Sequence, residues 1–188
     1  MNFQYETERL ILKILPESAA SDVLFFQLKN QEHFEEFDGQ PQKNFYTKQY
    51  QKTLLSWSYN MAVRQKAVRF WLFEKENPFE IIGTVSIQRI ERGIFQSCTL
   101  GYKLDKDHLH QGYMTEALEK VISIVFSELF LHRIEAFVHP QNTASIRILN
   151  HLNFKEEGIA YESVFAKGQW QGYLRFSLIS GPECQPKD

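Results

Sequence analysis

Leu118, Val121, Ile122, Val125, Phe126 and Leu129 fall at i, i+3, i+4, i+7, i+8 and i+11, the spacing of one apolar stripe on an amphipathic helix. Tyr46, Tyr50, Leu54, Trp57 and Met61 recur at threes and fours, which predicts a second such helix with Tyr50 and Trp57 in the core. Ser18 is placed to cap a helix running to about Asn30, with Val23, Leu24 and Leu28 inward. A loop holding Gly39 and Pro41 follows it. Asn142 or Thr143 is placed to cap a shorter helix with Ile146, Leu149 and Leu152 on one face.

The remaining apolar runs read as strands. Arg9 to Leu15 is rich in branched residues and ends at Pro16. Val68 to Glu74, Ile81 to Ile90 and Ser97 to Leu104, parted by Asn77-Pro78 and Gly93, read as an antiparallel meander. Arg133 to His139 is stopped by Pro140, and Lys155 to Ala166 joins Tyr173 to Ser180 through Gly168. Strand–helix–strand over residues 97–139 requires a parallel pair with a right-handed crossover inside an otherwise antiparallel sheet. The expected fold is α+β, a mixed, mostly antiparallel sheet of about seven strands flanked by about four helices.

Length and composition narrow this little further. A chain of 188 residues suits one domain, expected over 1–180, with a disordered tail at 181–188 that holds two prolines. The net charge of −2 and scattered basic residues leave no footprint for nucleic acid and no pull toward a membrane surface. No apolar run approaches the roughly 20 residues of a membrane span, and the start lacks the pattern of an export signal. Cys98 and Cys184 make neither a disulfide framework nor a zinc spacing, so a reducing, cytoplasmic setting is expected. Two loop histidines, His108 and His110, without a Cys or carboxylate partner give no metal site. Cys98 lies in a strand without a neighbouring His and reads as a packed thiol.

Candidate chemistry concentrates at the start of the best helix. Gln111-Gly112-Tyr113-Met114-Thr115 sits where a strand feeds a helix N-terminus, and such a junction presents free N–H groups to an anion. Gly112 lets backbone approach an anion closely, or simply makes a turn; the residues alone leave both readings open. Asn142 reads as an N-cap and Ser145 as an ordinary first-turn residue.

The run Leu100 to Leu118, with Gly101-Tyr102 before the glycine loop and Thr115-Glu116-Ala117-Leu118 opening the helix, resembles motif A of the GNAT superfamily of N-acetyltransferases. Thr7 to Leu12, Pro140 to Ser145, Leu152-Asn153-Phe154 and Glu157-Gly158 are similar to the RimJ/RimL branch, which acetylates N-termini of ribosomal proteins. The resemblance covers about residues 7–180 and implies acetyl-CoA as co-substrate, without a metal. It implies that Tyr102, Lys103 and Leu104 pair through their backbone with the pantetheine arm. Leu109, His110, Gln111, Gly112, Tyr113, Met114 and Thr115 then cradle the pyrophosphate, with Leu109 and Met114 departing from the usual residues. The resemblance would let Lys103, Lys106, His108 and His110 add positive charge near the nucleotide phosphates; by the residues alone they read as solvated surface. Asn142 would bond the pantetheine amide, and the Ser145 hydroxyl would bond or protonate the departing thiolate.

Acetyl transfer needs a neutral amine. With a pKa of about 7.7–8.0, roughly a tenth of α-amines are neutral at neutral pH, against fewer than about one lysine in a thousand. Thr99 stands where relatives often carry a basic Glu, and a site without a strong base suits an α-amine. The base slot that follows Glu157-Gly158 in relatives falls on Val164; Glu162, two residues earlier and on the same face of a regular strand, is the candidate base. Tyr161 and Tyr173 are further candidates, and Glu116 reads as an anion favoured in a first helical turn. The expected acceptor is a protein N-terminus. A small-molecule amine (polyamine, aminoglycoside or amino acid) and a CoA-binding module without turnover stand as alternatives, and the family makes a homodimer possible.

Overall fold

The computed structural model describes residues 1–38 and 41–181. Among these residues eight strands form one sheet: β1 (Gln4–Glu6), β2 (Leu10–Lys13), β3 (Val68–Glu74), β4 (Gly83–Glu91), β5 (Ser97–Leu104), β6 (Arg133–Val138), β7 (Lys155–Ala166) and β8 (Gln169–Ile179). Their order is β1-β2-β3-β4-β5-β6-β8-β7. Five helices accompany it: α1 (Ala20–Lys29), α2 (Gln31–Asp38), α3 (Lys48–Val63), α4 (Tyr113–Ser127) and α5 (Thr143–His151). The parallel pair falls where the pattern requires it, at β5 and β6, with α4 in the crossover. β1 and α2 exceed the predicted elements. Three residues carry no period, and α2 has two apolar residues, Phe34 and Phe37, among polar ones.

Alternation along the strands builds two cores. From β3, Phe70 and Leu72 enter the larger core with Met114, Leu118, Val121 and Val125 of α4. Trp71 and Phe73 point the other way, onto Phe26 of α1, Phe34 of α2 and Leu55 of α3. Strand β3 is therefore apolar on both faces, as a strand sandwiched between helix layers must be. Cys98 is buried in the larger core, where burial and the nearby Glu135 push its thiol up to about 12, so it packs as an inert thiol.

Three readings of the sequence need correction. Ser18 does not cap α1; it lies in a short 3-10 turn, and the helix begins at Ala20 without a side-chain cap. That turn shifts the helical phase, so Val23, Phe26 and Gln27 are buried while Leu28 is half exposed. Helix α3, capped by Thr47, turns Gln51, Leu55 and Ala62 inward, and Trp57 is 55% exposed. The Tyr50–Trp57 stripe is thus not core: Tyr50 packs on Phe45 of the preceding loop instead. The expected disorder of 181–188 lies, Gly181 apart, outside the described residues, as does Gly39. Among the described residues no helix is long and apolar enough to cross a membrane.

One feature of the sheet governs the site. Strands β5 and β6 pair over three positions, Ser97 with Arg133, Cys98 with Ile134 and Thr99 with Glu135. Beyond them β5 stays on β4 to Leu104 and β6 stays on β8 to Val138. The strands therefore part, and the β5 edge from Leu100 to Leu104 faces a gap without a strand partner.

Candidate functional site

At the mouth of the gap the chain turns through residues 105–112 into α4. A carboxylate organises this turn. Asp105 is fully buried and accepts from Lys29 Nζ at 2.9 Å, Asn30 Nδ2 at 2.9 Å and Asp107 N at 2.9 Å, with His108 Nδ1 at 3.1 Å. Burial alone would raise its pKa, but these partners outweigh burial and hold it at about 2. Asn30 Oδ1 in turn accepts from Lys106 N at 2.9 Å. The end of α1 thus fixes the turn. His108, expected at the surface, is occupied between Asp105 and Glu74, and Tyr113 donates to Glu74 beside it.

Two residues in left-handed backbone, His110 at φ 60° and Gly112 at φ 81°, carry the chain into α4. A Cβ on Gly112 would meet Arg9 Nη2 at 3.3 Å. Arg9 is the brace of this turn, a role not legible in the sequence. Its Nη1 donates to Gln111 O at 2.9 Å, and its Nε and backbone N donate to Glu116 at 2.7 and 2.8 Å. The Thr7 hydroxyl donates to Glu116 at 2.5 Å. Burial would raise the Glu116 carboxyl, but these donors keep it below the usual range. The side chain of Met114 is 3% exposed and packs into the larger core, so it leaves the turn clear. Among the described residues, the backbone N–H groups of Gly112 to Thr115 have no protein acceptor, and α4 points its positive end at the same place. The turn is built to take an anion.

Inside the gap the sequence-predicted residues converge. Asn142 caps α5, its Oδ1 accepting from Ser145 N at 3.0 Å. The Ser145 hydroxyl lies 2.7 Å from the Tyr102 phenol. Burial pushes Tyr102 up to about 12, with the Ser145 bond lowering it slightly, so the pair is neutral and holds transferable protons. This phenol contact comes in addition to the backbone role that the resemblance implies for Tyr102, and no pattern in the sequence marks it. Lys103 reaches the opposite face of the sheet and lies 4.9 Å from the Phe34 ring of α2, away from the α4 turn. Leu104 and Leu109 are half buried, and Thr115 lies in the first turn of α4.

Glu162 does not join this group. Strand β7 shifts register between Ala160 and Val164, and Glu162 sits in that bulge at φ 46°, exposed. The alternation that would have aimed it with Val164 breaks there. Tyr161 is also exposed, whereas Tyr173 is buried and donates to Phe37 O at 2.8 Å. A carboxylate the sequence did not single out, Glu135, stands where the strands part. It is bound by Arg133 at 2.9 Å and by Arg175. Burial would raise it, but the two guanidiniums hold it low, which makes it a poor base.

On the face bearing α1 to α3, a cavity of about 540 Å³ opens beside the loop before α5, lined by Glu36, Phe37, His139, Gln141, Lys167 and Gln171 among others. The His139 ring packs between Phe37 and Tyr173, each 5.5 Å away, and its Nδ1 accepts from Gln141 N at 3.2 Å.

Residues 9–155 match the acetyltransferase (GNAT) domain family. The chain is 34% identical over 166 residues to the probable N-acetyltransferase YjcK of Bacillus subtilis, covering 88% of this chain and 91% of that one. It is 33% identical over 120 residues to the ribosomal protein uS5-alanine N-acetyltransferase of Escherichia coli, covering 64% and 61% of the two chains. The crystal structure of the ribosomal-protein-S5-alanine acetyltransferase of Vibrio fischeri superimposes with a TM-score of 0.91 at 27% identity, over 98% of this chain and all of that one.

Proposed function

The chain belongs to the GNAT acetyltransferase family and is an N-acetyltransferase; we propose that it moves the acetyl group of acetyl-CoA to the α-amine of a protein N-terminus. The observation that carries this reading is the parted pair β5–β6, with unpaired N–H donors at its mouth and the Tyr102–Ser145 hydroxyl pair inside. Acetyl-CoA supplies an acetyl group activated as a thioester. The turn Leu109 to Thr115 would hold its pyrophosphate, and the free edge of Tyr102 to Leu104 would pair with the amides of its arm. Asn142 Oδ1 is spent on capping α5, which leaves its Nδ2 as a donor toward the arm.

Ser145, backed by the Tyr102 phenol, would bond the sulfur as it takes up charge and then deliver a proton to it. Among the described residues, none of the three candidates for a base is a strong one. Thr99 is a hydroxyl, Glu135 is held ionised by arginines, and Glu162 is in the bulge. An α-amine is the acceptor that needs the least help, because part of it is neutral at physiological pH. The uS5-alanine N-acetyltransferase named above has such an acceptor, a ribosomal protein, and an enzyme on that substrate works in the cytoplasm.

The test incubates the protein with acetyl-CoA and follows thiol release. The acceptors are peptides with free Ala or Ser N-termini, the same peptides N-terminally blocked but carrying Lys, and spermidine. Turnover on the free N-termini is expected. Turnover on spermidine or on the blocked peptides alone would overturn the reading.

A further inference from the structure

Arg69 has no counterpart in the machinery described so far. It lies on β3, half buried, on the face that bears α1 to α3, and its guanidinium carbon is 5.9 Å from the Trp71 ring. Among the described residues its guanidinium makes no ion pair and no hydrogen bond. The other arginines around the site are engaged: Arg9 with Glu116, and Arg133 and Arg175 with Glu135 and Glu157. Burial lowers the Arg69 pKa, and no neighbouring carboxylate offsets it. A half-buried charge without a counter-ion costs free energy, and such groups are enriched at sites that take ligands.

The registers give its position relative to the chemistry. Arg69 lies across from Ser86, and Ser86 lies across from Gly101, at the edge of the gap. These three residues form one line over three strands, which spans about 10 Å at the usual strand spacing. The floor between is polar and low. Ser86 Oγ donates to Gly101 O at 3.3 Å and accepts from Gln88 Nε2 at 2.9 Å. A Cβ at Gly101 would come within 3.1 Å of Ser86 Oγ, so the glycine keeps the path from Arg69 to the gap level.

We propose that Arg69, with Gln88 beside it, receives a carboxylate of the acceptor, an Asp or Glu side chain on its second or third residue. This rests on the reading that the acceptor is a peptide N-terminus. One guanidinium offers a single charge and a two-pronged donor edge, the complement of one carboxylate. An extended peptide advances about 3.3 Å per residue, so its third residue stands about 7 Å along this line, and the acidic side chain and the long Arg69 side chain span the rest while the amine stands at the gap.

The experiment uses peptide pairs that differ only by Glu or Gln at the second and third positions, acetylated by the parent protein and by Arg69→Gln, Arg69→Lys and Arg69→Met. Expected is an about tenfold preference of the parent for the acidic peptide, carried by KM, as one charge-assisted hydrogen bond warrants. Arg69→Gln and Arg69→Met abolish the preference and leave neutral peptides unchanged; Arg69→Lys restores part of it. Thermal unfolding separates a structural role: removing an unpaired recessed charge leaves Tm unchanged or higher. Equal losses on both peptides, a fall in Tm, or no preference in the parent would each overturn the proposal. Quenching of Trp71 fluorescence by the two peptides reads occupancy without turnover. Preferential quenching by the acidic peptide with no acetylation supports the subsite and sinks the transfer reading. Equal acetylation of both peptides sinks the subsite alone.

Discussion

Ser145 and Tyr102 form a two-hydroxyl unit in which each residue is explicable only with the other. The phenol is too buried to ionise, and in the proposed transfer it would donate to the Ser145 oxygen and leave the serine proton for the sulfur. Ser145→Ala should lower kcat by about a hundredfold, the usual worth of a positioned proton donor, while calorimetry finds CoA bound as before. Tyr102→Phe should cost about tenfold and leave the fold intact. The pH profile should report the acceptor rather than the enzyme: kcat/KM on a peptide rises with pH and levels above about 8, following the α-amine. A plateau set below pH 6 would mean that an enzyme carboxylate takes the proton instead. Ser145 and Asn142 are singled out only by the resemblance, since by pattern they are a first-turn residue and an N-cap. The alternation that makes Glu162 the candidate base stops at the bulge at Ala160–Val164, which leaves no mark in a strand pattern that still alternates.

The elements were legible in proportion to their period. Strands β3, β5 and β7 and the stripe of α4 follow the residues with little error, because one repeating contact decides each of them. α2 has too few apolar residues to show a period, and α3 presents a small buried face that its exposed aromatics disguise. Braces between elements have no local signal at all. Arg9 lies 107 residues from Glu116 in sequence, and Asp105 lies 75 from Asn30.

Both braces can be tested. Arg9→Ala should raise the KM for acetyl-CoA roughly tenfold, the scale of a lost charge-assisted bond, with little change in kcat. Asp105 has a folded-state pKa depressed from 3.8 to about 2. Its stabilisation, about 2 kcal/mol, is complete above the unfolded value and is lost as the pH falls from about 4 toward 2. Melting curves across pH 5 to 2 should show the parent losing Tm faster than Asp105→Asn. The variant itself starts less stable at pH 7, because Lys29 then lacks its buried partner.

Across the molecule, the helix layers split the work. α4 and α5 cover one face and supply the anion turn and the Ser145 hydroxyl, while the face bearing α1 to α3 carries polar side chains from Arg69 on β3 to Arg175 on β8. Donor and acceptor would therefore approach the gap from opposite sides of one sheet, which is the arrangement direct transfer requires.

The three closed rungs from Ser97 to Thr99 make the sheet two plates joined at a short seam. Above the seam, the amides of β5 that face the gap have only solvent to bond, so their protons should exchange with deuterium quickly even though the strand is rigidly held by β4. An arm lying along that edge would stop the exchange without moving the backbone. Deuterium uptake at alternate residues of Leu100–Leu104 should then fall when CoA is added and return when it is dialysed away. Slow uptake without CoA would show that the plates close on each other between turnovers.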